Sequence, residues 1–215
     1  MNSYSKKSAF TLIELLVVIS IILIASSVIF IGGRGGDGAN LRSSQRIVSG
    51  IAQGARGQAI LKNATTRLII YSDLASNEDE EKKLRYFGIV YEDNANPGQW
   101  FAATQGTYLP EGIYFNKDLS KGFPTGSNMK INYPRQSAQS GSSGEEYYYY
   151  EFNSNGTMAT NYDNTWLAIQ AGTLKPNSGG ALEVDFTEIE NEGLKAALIF
   201  RRVGTTSHVS DPIDI

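Results

Sequence analysis

The residue of this sequence most suited to chemistry is Glu14, a carboxylate inside an almost wholly apolar run. The run covers residues 10–31 and is 22 residues long. A carboxylate at mid-depth in a membrane costs roughly 2.5–3.5 kcal/mol, and it costs less near the interface. Glu14 therefore either lies near the lipid headgroups, where it is tolerated, or has a functional partner.

The length of the apolar run predicts a membrane-spanning helix. At about 1.5 Å per residue such a helix extends ~33 Å, and the hydrocarbon core of a bilayer is ~30 Å thick. Lys6 and Lys7 precede the run, which places the N-terminus in the cytoplasm and the rest of the chain outside. Two simpler interpretations are a cleavable secretory signal, with small residues at 25–27, and a plain signal anchor.

Residues 6–19, with the sequence KKSAFTLIELLVVI, resemble the N-terminus of type IV pilins and type II secretion pseudopilins. The resemblance implies that residues 1–9 are a leader, that a prepilin peptidase cleaves between Ala9 and Phe10, and that the new amine of Phe10 is methylated. The family usually has Gly before the cleaved bond. Because Ala9 keeps a small side chain there, we expect cleavage to occur.

The resemblance also gives Glu14 a partner. Cleavage would leave an amine on Phe10, with a reference pKa of about 7.7–8.0, and Glu14 of one subunit would neutralise the amine of its neighbour. Two opposite charges in an apolar bundle are costly apart and tolerable together, so the pair sets axial register more than stability. The implied partners are prepilin peptidase, other pilin or pseudopilin subunits, an inner-membrane assembly platform and membrane lipid.

The composition of the whole chain disfavours several other functions. There are 19 basic and 22 acidic residues, a net charge of −3, no cysteine and one histidine, His208. The charge disfavours a dedicated nucleic-acid binder, and the lack of cysteine excludes disulfides and thiolate sites. Since no positioned nucleophile accompanies His208, we expect it to be a loop residue, and we expect no enzymatic activity and no cofactor.

Residues 32–38 contain five glycines and predict a flexible break after the first helix, since each glycine costs about 0.8–1.0 kcal/mol in a helix. A phosphate-binding loop is the alternative, but no Gly-Lys-Ser/Thr follows. A second helix is predicted from Ala39 or Asn40 to about Lys62, with Asn40 as its cap, because apolar residues recur there at helical spacing.

The end of this second helix carries another resemblance. Residues 55–63, ARGQAILKN, followed by a strand, are similar to the Ala-Arg-x-x-Ala-Ile-x-x-Asn run of the GspH/FimT group of minor pilins. Residues 152–156 resemble a Phe-x-x-x-Gly element of the same group. The resemblance implies a minor subunit more than a major one.

The remainder of the chain is predicted to be rich in strands. Aromatic and β-branched residues predict strands at 67–71, 85–91, 99–103, 113–115, 129–133, 146–152, 166–170 and 197–203. Turns are predicted at 94–98 and 153–156, with a hairpin at the second, a Ser/Gly-rich loop is predicted at 137–144, and residues 182–198 fit either strand or helix. A helix followed by many strands predicts an α+β fold with an antiparallel sheet or small β-sandwich.

Three polar or aromatic features allow a functional or a structural interpretation. Tyr147–Tyr150 fit an adhesive or carbohydrate-stacking patch, but alternation between core and solvent along a strand is favoured. Residues 78–83, EDEEKK, could bind cations, but a solvated helix start with i,i+4 pairs is favoured. Some major pseudopilins bind Ca²⁺, but no oxygen-ligand spacing is found here among Asp163, Asn164, Asp185, Asp211 and Asp214.

The sequence therefore predicts a minor pilin or pseudopilin of a type II secretion pseudopilus or type IV pilus. Its parts would be a leader at 1–9, a transmembrane and assembly helix at 10–31, a hinge at 32–38, and an amphipathic helix with an exported β-rich domain at 39–215. It would cross the inner membrane once, with its domain in the periplasm, before joining a filament. The alternative is an exported binding protein or enzyme tethered by a pilin-like anchor.

Overall fold

The computed structural model describes residues 12–32, 37–72, 79–121, 128–134, 138–139, 144–178, 180, 182–188 and 192–210. The chain divides into two units, Met1–Gly36 and Asp37–Ile215, and each is described by itself. The predicted leader and the bond between Ala9 and Phe10 lie outside the described residues.

In the first unit, helix α1 extends over Leu12–Gly32. Its sequence has no proline and no glycine before Gly32, so nothing in it breaks a helix over that length. Within the part of the chain that the structure describes, no helix is long and apolar enough to cross a membrane.

Helix α2 opens the second unit and extends over Asp37–Lys62. It begins two to three residues before the predicted start at Ala39 or Asn40, so Asn40 lies inside the helix and the prediction of Asn40 as its cap is wrong. The predicted break at 32–38 overlaps both helices at its ends, and residues 33–36 lie outside the described residues. Asn63, at φ 48°, ends the helix in the left-handed conformation, and the Ala64 N–H donates back to the Ala59 carbonyl at 3.2 Å.

Thirteen strands follow in the described part of the chain. Their bounds are β1 Thr66–Tyr71, β2 Tyr86–Glu92, β3 Gln99–Ala102, β4 Thr107–Tyr108, β5 Ile113–Lys121, β6 Asn128–Ile131, β7 Ala138–Gln139, β8 Glu145–Phe152, β9 Thr165–Ala171, β10 Thr173–Pro176, β11 Leu182–Asp185, β12 Lys195–Phe200 and β13 Thr206–Val209.

The strands form two main antiparallel sheets and one hairpin. The seven-stranded sheet has the order β6-β8-β1-β2-β3-β7, with β4 added beside β2, and the four-stranded sheet has the order β13-β12-β9-β5. Strands β10 and β11 pair only with each other among the described residues. The predicted α+β class with antiparallel sheets is confirmed.

Helix α2 and both main sheets share one apolar core, which we call the main core. The helix presents a stripe of small and branched residues, and each sheet presents alternate residues of its strands. Buried members include Val48, Ala52, Ala55, Leu68, Phe87, Phe115, Tyr150, Ile169 and Leu198. This shared core fixes α2 against the strands that carry the rest of the domain.

The opposite face of the seven-stranded sheet is also apolar, and we call it the aromatic cluster. It contains Ile69, Tyr71, Tyr86, Val90, Trp100, Met129, Ile131, Tyr133 and Tyr147. Along β8, Tyr150 belongs to the main core and Tyr147 to the aromatic cluster, and both are fully buried. The alternation predicted for residues 147–150 is therefore present, but the prediction that one side faces solvent is wrong.

Candidate assembly segment and its domain

The described side chains of α1 present an exposed apolar surface. Eight aliphatic residues between Ile13 and Ile22 are 45–70% exposed, and Leu12 is 81% exposed. Water-exposed apolar area of this extent marks a surface that binds lipid or another protein. Ser20 adds little polarity, because its hydroxyl donates to the Leu16 carbonyl at 2.8 Å within the same helix.

Glu14 is the acidic residue in the first turn of α1, and it is exposed there. The positive end of the helix dipole favours a carboxylate at this position. Its sequence position puts it four residues after Phe10, about one helical turn. Ala9 and Phe10 themselves lie outside the described residues, so cleavage and methylation stay predictions.

The two segments that resemble the GspH/FimT group, at 55–63 and 152–156, are in contact in the folded domain. Gly156 has φ +78° in the turn after β8, and a Cβ built there would lie 2.7 Å from Ile60 Cδ1 and 3.2 Å from Arg56 Cγ. Gly204, in the turn after β12, packs in the same place: its own Cβ would lie 1.9 Å from the Gly156 carbonyl oxygen. The two elements are thus parts of one contact between α2 and two turns.

Arg67 on β1 makes a set of contacts with aromatic rings and a carboxylate that the sequence alone does not indicate. Its guanidinium carbon lies 4.1 Å from the Trp100 ring centroid and 3.9 Å from that of Tyr149. Its Nε donates to Glu151 Oε2 at 2.8 Å. A planar cation between two rings, with a carboxylate at its edge, rigidifies the junction of β1, β3 and β8.

Of the segment at 78–83 the structure describes residues 79–83, and the contacts of Lys82 differ there from the pairs predicted. Lys82 donates to Asp79 at 2.8 Å, three residues before it, and to Glu145 at 2.7 Å, and no i,i+4 pair is found among the described residues here. Burial alone would lower the pKa of Lys82, but these two hydrogen bonds raise it above its ordinary value. Lys83 is fully buried, so the prediction of a solvated segment is wrong at that residue.

Of the residues considered for Ca²⁺, the structure describes Asp163, Asn164 and Asp185. Asp185 accepts from the Thr187 N–H at 2.8 Å and hydroxyl at 2.7 Å, and from Lys175 at 2.9 Å, and these bonds lower its pKa. Asp211 and Asp214 lie outside the described residues. Within the described ranges, no three His, Cys, Asp or Glu side chains are grouped to hold a metal ion.

His208 lies exposed on β13, opposite Leu198 of β12. The prediction that it is a loop residue is wrong, because residues 206–209 form an edge strand of the four-stranded sheet. The His208 imidazole is therefore open to solvent at the edge of this sheet.

Comparison with known proteins gives one match. The family model of the prokaryotic N-terminal methylation motif matches residues 4–30, a range that includes Ala9, Phe10 and Glu14. The match is consistent with a type IV pilin or pseudopilin, and it suggests a membrane-anchored, exported protein processed by a prepilin peptidase. No curated protein and no solved structure matches the chain.

Proposed function

We propose that this chain is a minor pilin or pseudopilin subunit of the GspH/FimT type, which assembles into a type II secretion pseudopilus or a type IV pilus. The observation that carries the proposal is the methylation motif at residues 4–30, which leads into a helix with an exposed apolar surface and a carboxylate in its first turn. The work of such a subunit is assembly, not catalysis.

In this proposal the N-terminal segment acts in two stages. The apolar run at 10–31 first holds the chain in the inner membrane, with residues 1–9 in the cytoplasm and the domain in the periplasm. Cleavage after Ala9 then creates the Phe10 amine, which is methylated and pairs with Glu14 of a neighbouring subunit. The pair replaces two isolated charges in an apolar bundle by one neutral contact, and so it selects the correct axial position.

A contact between α2 and the turn after β8 supports the proposal that the chain is a minor subunit. The contact of Arg56 and Ile60 with Gly156 gives a physical reason for the two sequence elements that resemble the GspH/FimT group, since a larger residue at 156 would meet the helix. The elements are therefore fitted to each other in the folded chain.

Glu14→Leu tests the proposed assembly role. The substitution removes the cost of placing a carboxylate in the membrane, so insertion should be normal or better. It would leave the Phe10 amine unpaired in the filament, and breaking one partner of a buried pair typically costs ~3–5 kcal/mol, or roughly two to three and a half decades in an assembly equilibrium. We expect normal membrane level and cleavage but loss of co-purification with partner pilins.

Ser20→Ala is the matched control, because it removes a polar group from the same helix while leaving the proposed charge pair intact. It should leave membrane level, cleavage and assembly unchanged. If Glu14→Leu assembles as well as Ser20→Ala, then Glu14 has no pairing role or the subunit caps the filament tip. Crosslinking of the domain to other minor subunits separates these two cases. If the chain is instead an exported binding protein or enzyme tethered by a pilin-like anchor, its domain should not crosslink to other pilin subunits.

A further inference from the structure

A cleft of about 670 Å³ is lined by the β10–β11 hairpin and by strand β5, which is an edge of the four-stranded sheet. Leu119, Val184 and Phe186 give the cleft apolar walls. Its volume lies within the range of about 300–1,000 Å³ that is usual for sites that bind a ligand. The proposed function uses no residue of this cleft.

Two buried amides in the lining are held in place by hydrogen bonds. Asn116 Nδ2 donates to Gln170 Oε1 at 2.8 Å, and Asn116 Oδ1 accepts from the N–H groups of Asp118 at 2.9 Å and Leu119 at 3.1 Å. Gln170 Nε2 also donates to the Phe186 carbonyl at 3.4 Å. These bonds join β5, β9 and the segment after β11, so the domain's own contacts hold the walls of the cleft and binding would need little ordering.

The ionisable groups of the lining are predominantly acidic. They are four carboxylates and two ammonium groups, from Asp118, Glu183, Asp185, Glu192, Lys175 and Lys195. Lys175 is already neutralised, because it pairs with Asp185 at 2.9 Å and with Glu188, outside the lining, at 2.8 Å. Asp118, Glu183 and Glu192 are exposed and form no ion pair with another residue that the structure describes. The cleft therefore offers three exposed carboxylates beside an apolar surface.

We propose that this cleft binds a basic peptide segment of a different protein, with arginine or lysine side chains against the three exposed carboxylates. The aliphatic stem of such a side chain would contact the apolar walls while its charged end meets the carboxylates. Complementary charge also speeds the encounter of the two partners and disfavours acidic ones. The site goes beyond the proposed function, since no part of the N-terminal segment enters it.

Fluorescence anisotropy of labelled peptides measures this binding with the full-length chain in a neutral detergent. The basic probe is the capped peptide Gly-Val-Arg-Val-Arg-Gly, and two comparison peptides replace both arginines by Gln or by Glu. We expect the basic probe to bind at least about ten times more tightly than the Gln peptide, and the Glu peptide not to bind. A Gln or Glu peptide that binds as tightly as the basic probe would overturn the proposal, because the cleft would then not select a cation.

Two triple variants separate the cleft from the general negative charge of the chain. Each removes three exposed carboxylates, in the cleft by Asp118→Asn, Glu183→Gln and Glu192→Gln, and outside the lining by Glu80→Gln, Glu81→Gln and Glu111→Gln. We expect the cleft variant to bind the basic probe at least about ten times more weakly than the parent chain, and the control variant to bind within about twofold of it. Thermal unfolding checks that both variants are folded. Equal weakening by both would overturn the proposal.

Covalent labelling locates the bound peptide, because the chain has no native cysteine. Asn177→Cys places a thiol at an exposed position in the lining, and Asn132→Cys places one at an exposed position outside it, after β6. A bromoacetyl group on the basic probe reacts with the thiolate, which forms a thioether and releases bromide. Relative to the rate with free bromoacetamide, we expect Asn177→Cys to react at least about ten times faster than Asn132→Cys. Equal relative rates would overturn the proposed site.

The intact mass of the same preparation separates this site from the proposed function. A chain that lacks residues 1–9 and does not select the basic probe contradicts the proposed cleft site alone. A chain that retains residues 1–9 and selects the probe contradicts only the proposed pilin or pseudopilin function.

Discussion

Replacing Gly156 by Ala tests whether the contact of α2 with the turn after β8 depends on the missing side chain. Gly156 has φ +78°, a conformation that costs an L-residue roughly 1–2 kcal/mol. The new Cβ would lie 2.7 Å from Ile60 Cδ1 and 2.9 Å from Ile60 Cγ1, so the Ile60 side chain must move. An off-rotamer position costs about 0.5–1.5 kcal/mol, which gives a total of roughly 1.5–3.5 kcal/mol.

Gly98→Ala supplies the matched control, because Gly98 has φ +89° and no neighbouring atom within 4 Å of a new Cβ. It should show the backbone cost alone. Thermal unfolding of the full chain in mild detergent, followed by the fluorescence of Trp100 and Trp166, measures both variants. We expect Gly156→Ala to melt about 1–6 °C below Gly98→Ala, at roughly 2–4 °C per kcal/mol.

A further change to Ile60→Ala should recover most of that difference, because the obstructing side chain is then removed and the two sites are coupled. If Gly156→Ala melts no lower than Gly98→Ala, or if Ile60→Ala does not relieve it, the packing argument is refuted. The fit between the two sequence elements would then have no energetic basis.

Three other perturbations give defined results. Arg67→Lys should cost about 1–2 kcal/mol in thermal unfolding, because a lysine loses the planar stacking between Trp100 and Tyr149, and an unchanged melting temperature would contradict the described geometry. Burial raises the pKa of Tyr86 from its ordinary value of 10.0 to about 12. The free energy of unfolding should therefore be constant with respect to this hydroxyl below pH 10 and decrease as pH rises from 10 to 12. In Tyr86→Phe the decrease in the free energy of unfolding over that range should be shallower. Because hydrogen bonds lower the pKa of Asp185 below its ordinary 3.8, the contribution of Asp185 to stability should be complete well above pH 4 and disappear as pH falls below it. Thermal unfolding of the parent chain and of Asp185→Asn as a function of pH checks this, since the difference between them should vanish in acid.

Elements with a strong repeating pattern were predictable from the sequence. Strand β1 contains the apolar run Leu68–Ile70, and α2 has buried residues at helical spacing, so both were predicted to within a few residues of their observed bounds. The turn at 153–156 was predicted correctly, and the Phe152–Met158 bridge across it agrees with the predicted hairpin. The local sequence sufficed for these elements because each contains its own signal: an apolar run in β1, a helical repeat in α2, and Asn155-Gly156 in the turn.

Elements that depend on distant partners were missed or misplaced. Strands β4, β10 and β13 are two to four residues long and partly polar, so nothing local distinguishes them from loops. Strand β5 continues past the predicted 113–115 to Lys121 through a register shift against β9. The strand predicted at 197–203 ends at Phe200, because the turn that follows is closed by Gly204.

The burial of polar and aromatic groups was the least predictable feature. Lys83 reads as part of a charged surface segment, but in the fold its ammonium donates to the Leu182 carbonyl at 3.3 Å. The tyrosines at 147–150 read as a strand with one side in the core and the other in solvent, but the aromatic cluster, which contains Tyr147, covers the second side. Both outcomes depend on chain segments far away in sequence, which a local pattern does not contain.

Intact mass spectrometry of the protein extracted from membranes tests the central claim most directly. The account predicts a chain that begins at Phe10, lacking residues 1–9 and carrying one added methyl group. A chain that retains Met1–Ala9, or one that begins near Ser27 as an ordinary secretory signal would leave it, would contradict the proposed pilin or pseudopilin function.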